Sequence, residues 1–203
     1  MSTRDFEQTL RPALGKWCVR IGCHKSRVIA VTVFDFDQEN EVVSISWGYS
    51  RRVNSLNDPL FVPYSREHNI SDVPHELWEE IENLQHPLIE PFRTIFGDPD
   101  IRKDEIIHHR LVTLLIPRED LSITLRKHKI AFIGDAAHAW SNFAGTGGNN
   151  AVLDGLELGK VLQEGKSPEI YYDKRYPQWK NSIVSNEKTY NDMHKRKPSG
   201  VGL

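Results

Sequence analysis

KIAFIGDAAHAWSNFAGTGGNNAVLDGLELGKVL, residues 129–162, runs from an apolar segment through an acid and a histidine into a glycine-rich loop and a second apolar segment. IAFIG (130–134) is short, apolar and ends sharply on glycine, so it reads as a buried strand of the kind found in parallel sheets. From Asn149 to Leu162, the residues Val152, Leu153, Leu156, Leu158 and Leu162 predict a helix with an apolar face. The order strand, acid, glycine-rich loop, helix predicts an α/β arrangement. Asp135 then stands at the carboxyl end of the strand, where open α/β sheets place their ligands.

The start of a helix carries unsatisfied amides and the positive end of its dipole. Glycines just ahead of it let a phosphate or a flat ring approach the backbone closely. A carboxylate at Asp135 suits a polyol, whose hydroxyls donate to it. Local chemistry therefore points to a phosphorylated, polyhydroxylated cofactor. The residues alone leave a plainer reading open beside it: a tight turn with close packing of helix on strand.

The rest of the chain sets the frame. It has 203 residues, 38% hydrophobic and 27% charged, enough for one substantial core. A net charge of -2 gives no basic field for nucleic acid. No apolar run approaches the roughly 20 residues of a membrane span. The first residues, MSTRDFEQTLRPALGKW, contain no apolar signal core, so a cytoplasmic location is expected. Cys18 and Cys23 match no common zinc spacing and read as reduced thiols.

Upstream, RVIAVTVFDF (27–36) and EVVSISWGYSRR (41–52) alternate with a two-residue period around the polar turn DQEN (37–40) and predict an antiparallel hairpin. Val28, Ala30, Thr32, Phe34 and Phe36 would share one face, and Asp35 that of Ile29 and Val31. Val43, Ile45, Trp47 and Tyr49 would lie on one side of the second strand. A long loop is expected from Val53 to Ile70. A helix follows, capped by Asp72, with Pro74 in its first turn, Leu77, Trp78, Ile81 and Leu84 at helical spacing, and Pro87 as its stop. LIEPFRTIF predicts another short helix ended by GDPD, and 106–117 reads as a strand. A helical region with Tyr, Trp and Ile contacts is expected after residue 167, then a frayed tail from Lys197. Residues 1–24 are hard to read.

The segment GDAAHAWSNFAGTGGNNAVLDG resembles the second flavin-binding motif of FAD-dependent monooxygenases of the para-hydroxybenzoate hydroxylase-like class. Gly134 to His138 match its G-D-A-A-H; Gly145, Gly147 and Asn149 match its glycine loop. Asp154-Gly155 stands where the family has Asp-Ala, and Asn142 replaces its usual proline. The resemblance implies an α/β (α+β) fold, with a partial Rossmann-like FAD-binding domain in 118–203 and an antiparallel substrate-domain sheet in 1–117. It implies FAD as cofactor and NAD(P)H as electron donor. The cofactor-binding residues would be Gly134, Asp135, Gly145, Gly147, Gly148 and Asn149. Asp135 would bind the ribityl chain, and the amides of Gly147, Gly148 and Asn149 would face the pyrimidine edge of the flavin. His138 would pack or orient rather than act as a base. The reaction implied is hydroxylation or epoxidation of an aromatic or secondary-metabolite substrate.

The family's G-x-G-x-x-G fingerprint is absent from this sequence, as is its middle D-G motif. The resemblance is thus to a carboxyl-terminal portion. It implies a chain truncated at its amino terminus, or one whose nucleotide-binding segment lies on a second chain. Two other functions stand beside the monooxygenase: a non-redox isomerase or cyclase on the same fold, and a non-catalytic partner of another flavoprotein. No catalytic residue is singled out, and no metal is expected. His108 and His109 would point to opposite faces of a strand and could not easily share an ion. Arg51-Arg52 could guide an anionic substrate but reads more plainly as a solvated strand end. Trp47 and Tyr49 could line a substrate pocket or simply pack. Glu187, Lys188 and His194 read as a solvated helix face.

Overall fold

The computed structural model describes residues 1–195 apart from Lys25, Asn54, 62–72, 85–87, Asp104, His109, Asn142 and Ala144. The centre of the expected long loop, the Asp72 cap, the Pro87 stop, His109, Asn142 and the tail from Lys197 lie outside the described residues. The fold mixes helices with small antiparallel sheets, and the chain divides into two compact units, Met1–Arg110 with Met193–Leu203, and Leu111–Asp192.

The first unit opens with two short helices, α1 (Thr3–Thr9) and α2 (Arg11–Leu14). The Ser2 hydroxyl accepts the Asp5 amide and caps α1, while Phe6, Leu10 and Leu14 are buried at four-residue spacing. Three strands follow, β1 (Val19–His24), β2 (Arg27–Asp37) and β3 (Val42–Arg51), paired antiparallel in that order. The expected hairpin is β2–β3. Its turn is held by the Asp37 carboxylate, which accepts the amides of Glu39 and Asn40. Register places Ile29 opposite Tyr49, Val31 opposite Trp47 and Val33 opposite Ile45, so these six share a face. That face packs on α3 (His75–Glu82) and α4 (Phe92–Phe96), through Leu77, Ile81, Phe92 and Phe96. Trp47 meets Phe96 edge-on at 5.6 Å.

Two expectations fail in this sheet. The two-residue alternation breaks between Val33 and Asp35, where the register shifts. Such a bulge sends later residues off their predicted faces, and Phe34 ends 73% exposed. Arg51 is not a solvated strand end: its side chain is 11% exposed. Its guanidinium binds both oxygens of Asp58 at 2.6 and 2.7 Å, and its Nε lies 2.9 Å from Glu80. Tyr49 donates to Glu80 and accepts from Arg27; burial, then the bond to Glu80, raises its hydroxyl above the ordinary phenol range. His194 is buried in this unit with Nε2 3.1 Å from the Ser50 hydroxyl, while Glu187 and Lys188 are exposed as expected.

The second unit holds β4 (Leu114–Leu115), α5 (Arg118–His128), β5 (His138–Ala139), α6 (Gly147–Gln163) and most of α7 (Glu169–Lys195). Its core joins Leu121 and Leu125 of α5 to Val161 of α6 and to Tyr171, Tyr172 and Trp179 of α7. The strand expected over 106–117 shrinks to β4, which pairs with β5. Helix α5 carries acids in its first turn and Arg126, Lys127 and His128 in its last, matching the helix dipole. The strand expected at 130–134 is not formed. Ile133 is extended, but among the described residues 130–133 joins no ladder. An apolar run has strand character only where a neighbour satisfies its amides and carbonyls. The apolar face expected on α6 holds only at Leu158, which packs half-buried on the core: Asp154 and Val161 are buried, while Val152, Leu153, Leu156 and Leu162 are exposed.

Candidate flavin-binding site

The loop between β5 and α6 and the turn before β5 meet at an open cleft. Gly134 starts a 3-10 turn (Gly134–Ala136) at φ 55°, in the left-handed region that favours glycine. It also lies against α6, since a Cβ there would sit 3.0 Å from that of Ala151. This close approach delivers Asp135 to the cleft. Gly145 turns the chain at φ 63° just ahead of α6. The cleft, about 400 Å³, is lined by Asp135, Trp140, Gly145, Gly147, Gly148 and Ala151. That volume is in the range of small-molecule sites.

Of the six residues singled out from sequence, Asp135, Gly145, Gly147 and Gly148 line the cleft. Gly134 supports it from behind, and Asn149 is exposed in the first turn of α6. The start of α6 has no side-chain cap. The Thr146 hydroxyl, a natural capping group, instead accepts the indole N–H of Trp140 at 3.2 Å. The amides of Gly147, Gly148 and Asn149 precede the first intrahelical bond, from Asn150 to Thr146. Among the described residues they have no hydrogen-bond partner, and they stand at the positive end of a 17-residue helix.

Behind the cleft lies a buried polar cluster centred on Asp154, which is fully buried. One carboxylate oxygen accepts the Gly134 amide at 3.0 Å and His138 Nε2 at 2.6 Å. The other accepts Arg175 Nε at 2.7 Å and Trp179 Nε1 at 3.0 Å. Burial pushes this carboxyl up, but the bonds from His138, Arg175, Gly134 and Trp179 outweigh it and hold it below the ordinary range. Arg175 reaches on to the Asn150 side-chain oxygen, and Asn150 Nδ2 donates to Thr146 O. His138 stacks on Trp140 at 4.8 Å and lies tilted against Trp179 at 4.4 Å. One buried anion thus ties together the Gly134 turn, the Trp140 wall and the start of α6.

Sequence reading missed Asp154, Arg175 and Trp140 as parts of this cluster. The available signal was an acid placed four and seven residues before Leu158 and Val161 on one side of a helix. Arg175 and Trp179, four apart on α7, carried no local sign of their partner.

The chain is 28% identical over 204 residues to the FAD-dependent monooxygenase aptC of Emericella nidulans, covering 96% of this chain and 48% of that protein. This chain is a homologue of FAD-dependent monooxygenases. The homologue is 31% identical over 157 residues to the FAD-dependent monooxygenase nscC of Arthroderma benhamiae, covering 77% of itself and 37% of that protein. It is 25% identical over 199 residues to vrtH of Penicillium aethiopicum, also an FAD-dependent monooxygenase, covering 96% and 47%. The chain spans about half the length of the curated relatives it matches. No family model and no solved structure matches it. Among the described residues, no group of three or more His, Cys, Asp or Glu side chains could hold a metal ion, and no helix is long and apolar enough to cross a membrane.

Proposed function

We propose that this chain forms the flavin-contacting part of an FAD-dependent monooxygenase, with residues 118–203 serving FAD and residues 1–117 serving the substrate. The observation that carries the reading is the cleft in which Asp135 faces the uncapped start of α6 across a glycine loop. The Asp135 carboxylate would accept hydrogen bonds from the ribityl hydroxyls. The free amides of Gly147, Gly148 and Asn149 would favour negative charge on the flavin's pyrimidine edge. Gly134 shapes the turn behind Asp135, and Gly145 lets the ring approach the backbone. Trp140 supplies an apolar wall that keeps water from one side of the cleft.

FAD held there would, once reduced by NAD(P)H, supply activation of dioxygen, one oxygen atom going to an electron-rich substrate and the other leaving as water. Hydroxylation or epoxidation of an aromatic or secondary metabolite is the reaction class this reading carries. The setting is cytoplasmic, a reading supported by Cys18 and Cys23, which are joined in no disulfide. The cleft lining contains one charged residue, Asp135, and neither lysine nor arginine. It therefore fits the ribityl chain and ring better than the doubly charged pyrophosphate, whose recognition falls to other polypeptide, in this reading a second chain.

The test is a titration of the purified chain with FAD, followed by flavin fluorescence and visible absorption, beside Asp135→Ala. Saturable binding that weakens at least tenfold in Asp135→Ala is the expected result. A folded chain that binds no FAD at millimolar concentration refutes an autonomous flavin site.

A further inference from the structure

A row of rings leads out of the cleft into the core of the second unit. Trp140 is the aromatic residue of the cleft lining, beside one acid, three glycines and an alanine. Its indole is held from behind: it stacks on His138 with the rings 16° from parallel, and its N–H donates to the Thr146 hydroxyl. His138 is buried and touches Trp179 in turn, with centroids 4.4 Å apart. Tyr176, Tyr171 and Tyr172 lie edge-on to Trp179 at 5.9, 6.0 and 6.3 Å. Ring contacts of this kind contribute packing energy. They also set oxidisable groups close enough for an electron to tunnel from one to the next.

Chemistry gives the row a direction. Trp179 is buried, and its N–H donates to the Asp154 carboxylate at 3.0 Å. An indole that loses an electron becomes acidic at that N–H, and Asp154 is placed to take the proton and return it. Oxidation of a phenol requires loss of its proton. Tyr171 and Tyr172 are buried, and burial raises their hydroxyls above the ordinary phenol range, which opposes that loss. Tyr176 is half-buried, so its proton can pass to water. Lys180 Nζ lies 5.1 Å from the Tyr176 ring and disfavours positive charge on it. Oxidation there therefore ends in a neutral radical.

We propose that Trp140, His138, Trp179 and Tyr176 form a conduit that carries an oxidising equivalent from the cleft to the surface. An oxidant in the cleft takes one electron from Trp140 and is reduced by it. Trp179 refills Trp140 across His138, which bridges the two indoles and is not itself oxidised. The Trp179 N–H proton moves to Asp154 and returns when Tyr176 refills Trp179. Tyr176 releases its phenolic proton to water and is restored by a donor of one electron and one proton, such as ascorbate. The conduit spares the cleft from its own oxidant. It rests on the flavin reading only for the natural source of that oxidant, so its test attaches a flavin covalently and can fail separately from the titration above.

A flavin maleimide is joined to Asn149→Cys, at an exposed position in the first turn of α6, in a chain that also carries Cys18→Ala and Cys23→Ala. Free riboflavin is added to the unaltered chain in a parallel sample. After a flash of blue light, the tethered flavin should lose its fluorescence quickly, and the transient absorption of a neutral tyrosyl radical should follow and be removed by ascorbate. Trp140→Phe should lengthen the fluorescence lifetime and lower the tyrosyl yield, each at least tenfold. Tyr176→Phe should leave the lifetime unchanged and leave oxidised tryptophan in place of the tyrosyl signal. Both variants should keep the far-ultraviolet dichroism of the unaltered chain. A lifetime indifferent to Trp140→Phe, or a tyrosyl signal that survives Tyr176→Phe, would overturn the proposal. Free riboflavin that fails to bind, beside a tethered flavin that behaves as expected, would support the conduit and count against the autonomous flavin site.

Discussion

Replacing Asp154 with asparagine keeps the size of the side chain and removes its charge. The carboxylate satisfies four donors: the Gly134 amide, His138, Arg175 and Trp179. Asparagine offers one oxygen with two lone pairs and turns an N–H towards the others, so two donors lose their acceptor. Each buried donor left unsatisfied costs about 1–3 kcal/mol, or about 2–6 kcal/mol for the pair. Arg175, with 4% of its side chain exposed, also keeps a buried charge without its counter-ion. Breaking such a pair costs about 3–5 kcal/mol. Both routes meet near 4 kcal/mol, a large share of the roughly 5–15 kcal/mol that holds a domain together. Urea unfolding, followed by far-ultraviolet dichroism and tryptophan fluorescence, measures the loss. Amide exchange across 134–154 assigns it to the second unit. Asp154→Ala with Arg175→Met should cost less than the sum of the single changes, because the second removes the stranded charge. A loss below about 0.5 kcal/mol in Asp154→Asn, the scale of a surface change, would refute the view that this anion organises the cleft.

Other outcomes follow from the same structure. Gly134→Ala places a Cβ 3.0 Å from Ala151 at a positive φ and should cost about 1–2 kcal/mol in urea unfolding. Gly155→Ala, in open space on the same helix, should stabilise by up to about 1 kcal/mol. Acid should unfold the second unit: the folded Asp154 carboxyl is held below its unfolded value of about 3.9. Its contribution is therefore complete above that value and lost as the pH falls through the folded one, seen as a falling urea midpoint between pH 4 and lower values. Arg51→Ala removes the two bonds that its guanidinium makes to the Asp58 carboxylate and should cost the first unit about 1.5–3 kcal/mol. A change in thermal midpoint of less than 1 °C would contradict it.

The β2–β3 hairpin, the Leu77–Ile81 helix and the glycine-loop-to-helix order were legible in sequence because each is set by neighbours a few residues apart. Alternation, capping and turn residues act locally, and so do the glycines that let Asp135, Gly145 and Gly147 share one small cleft. Tertiary structure decided what depends on distant partners. IAFI is apolar in any context, but it becomes a strand only beside another strand. The buried side of α6 was misjudged for a related reason: Asp154 is more polar than Leu156, yet Arg175 and Trp179, some twenty residues later, offer it partners that Leu156 does not need. Arg51 likewise left the solvent because Asp58 and Glu80 converge on it. Periodicity ranks side chains by their cost of meeting water, and only the assembled fold supplies the hydrogen bonds and counter-charges that reverse that ranking.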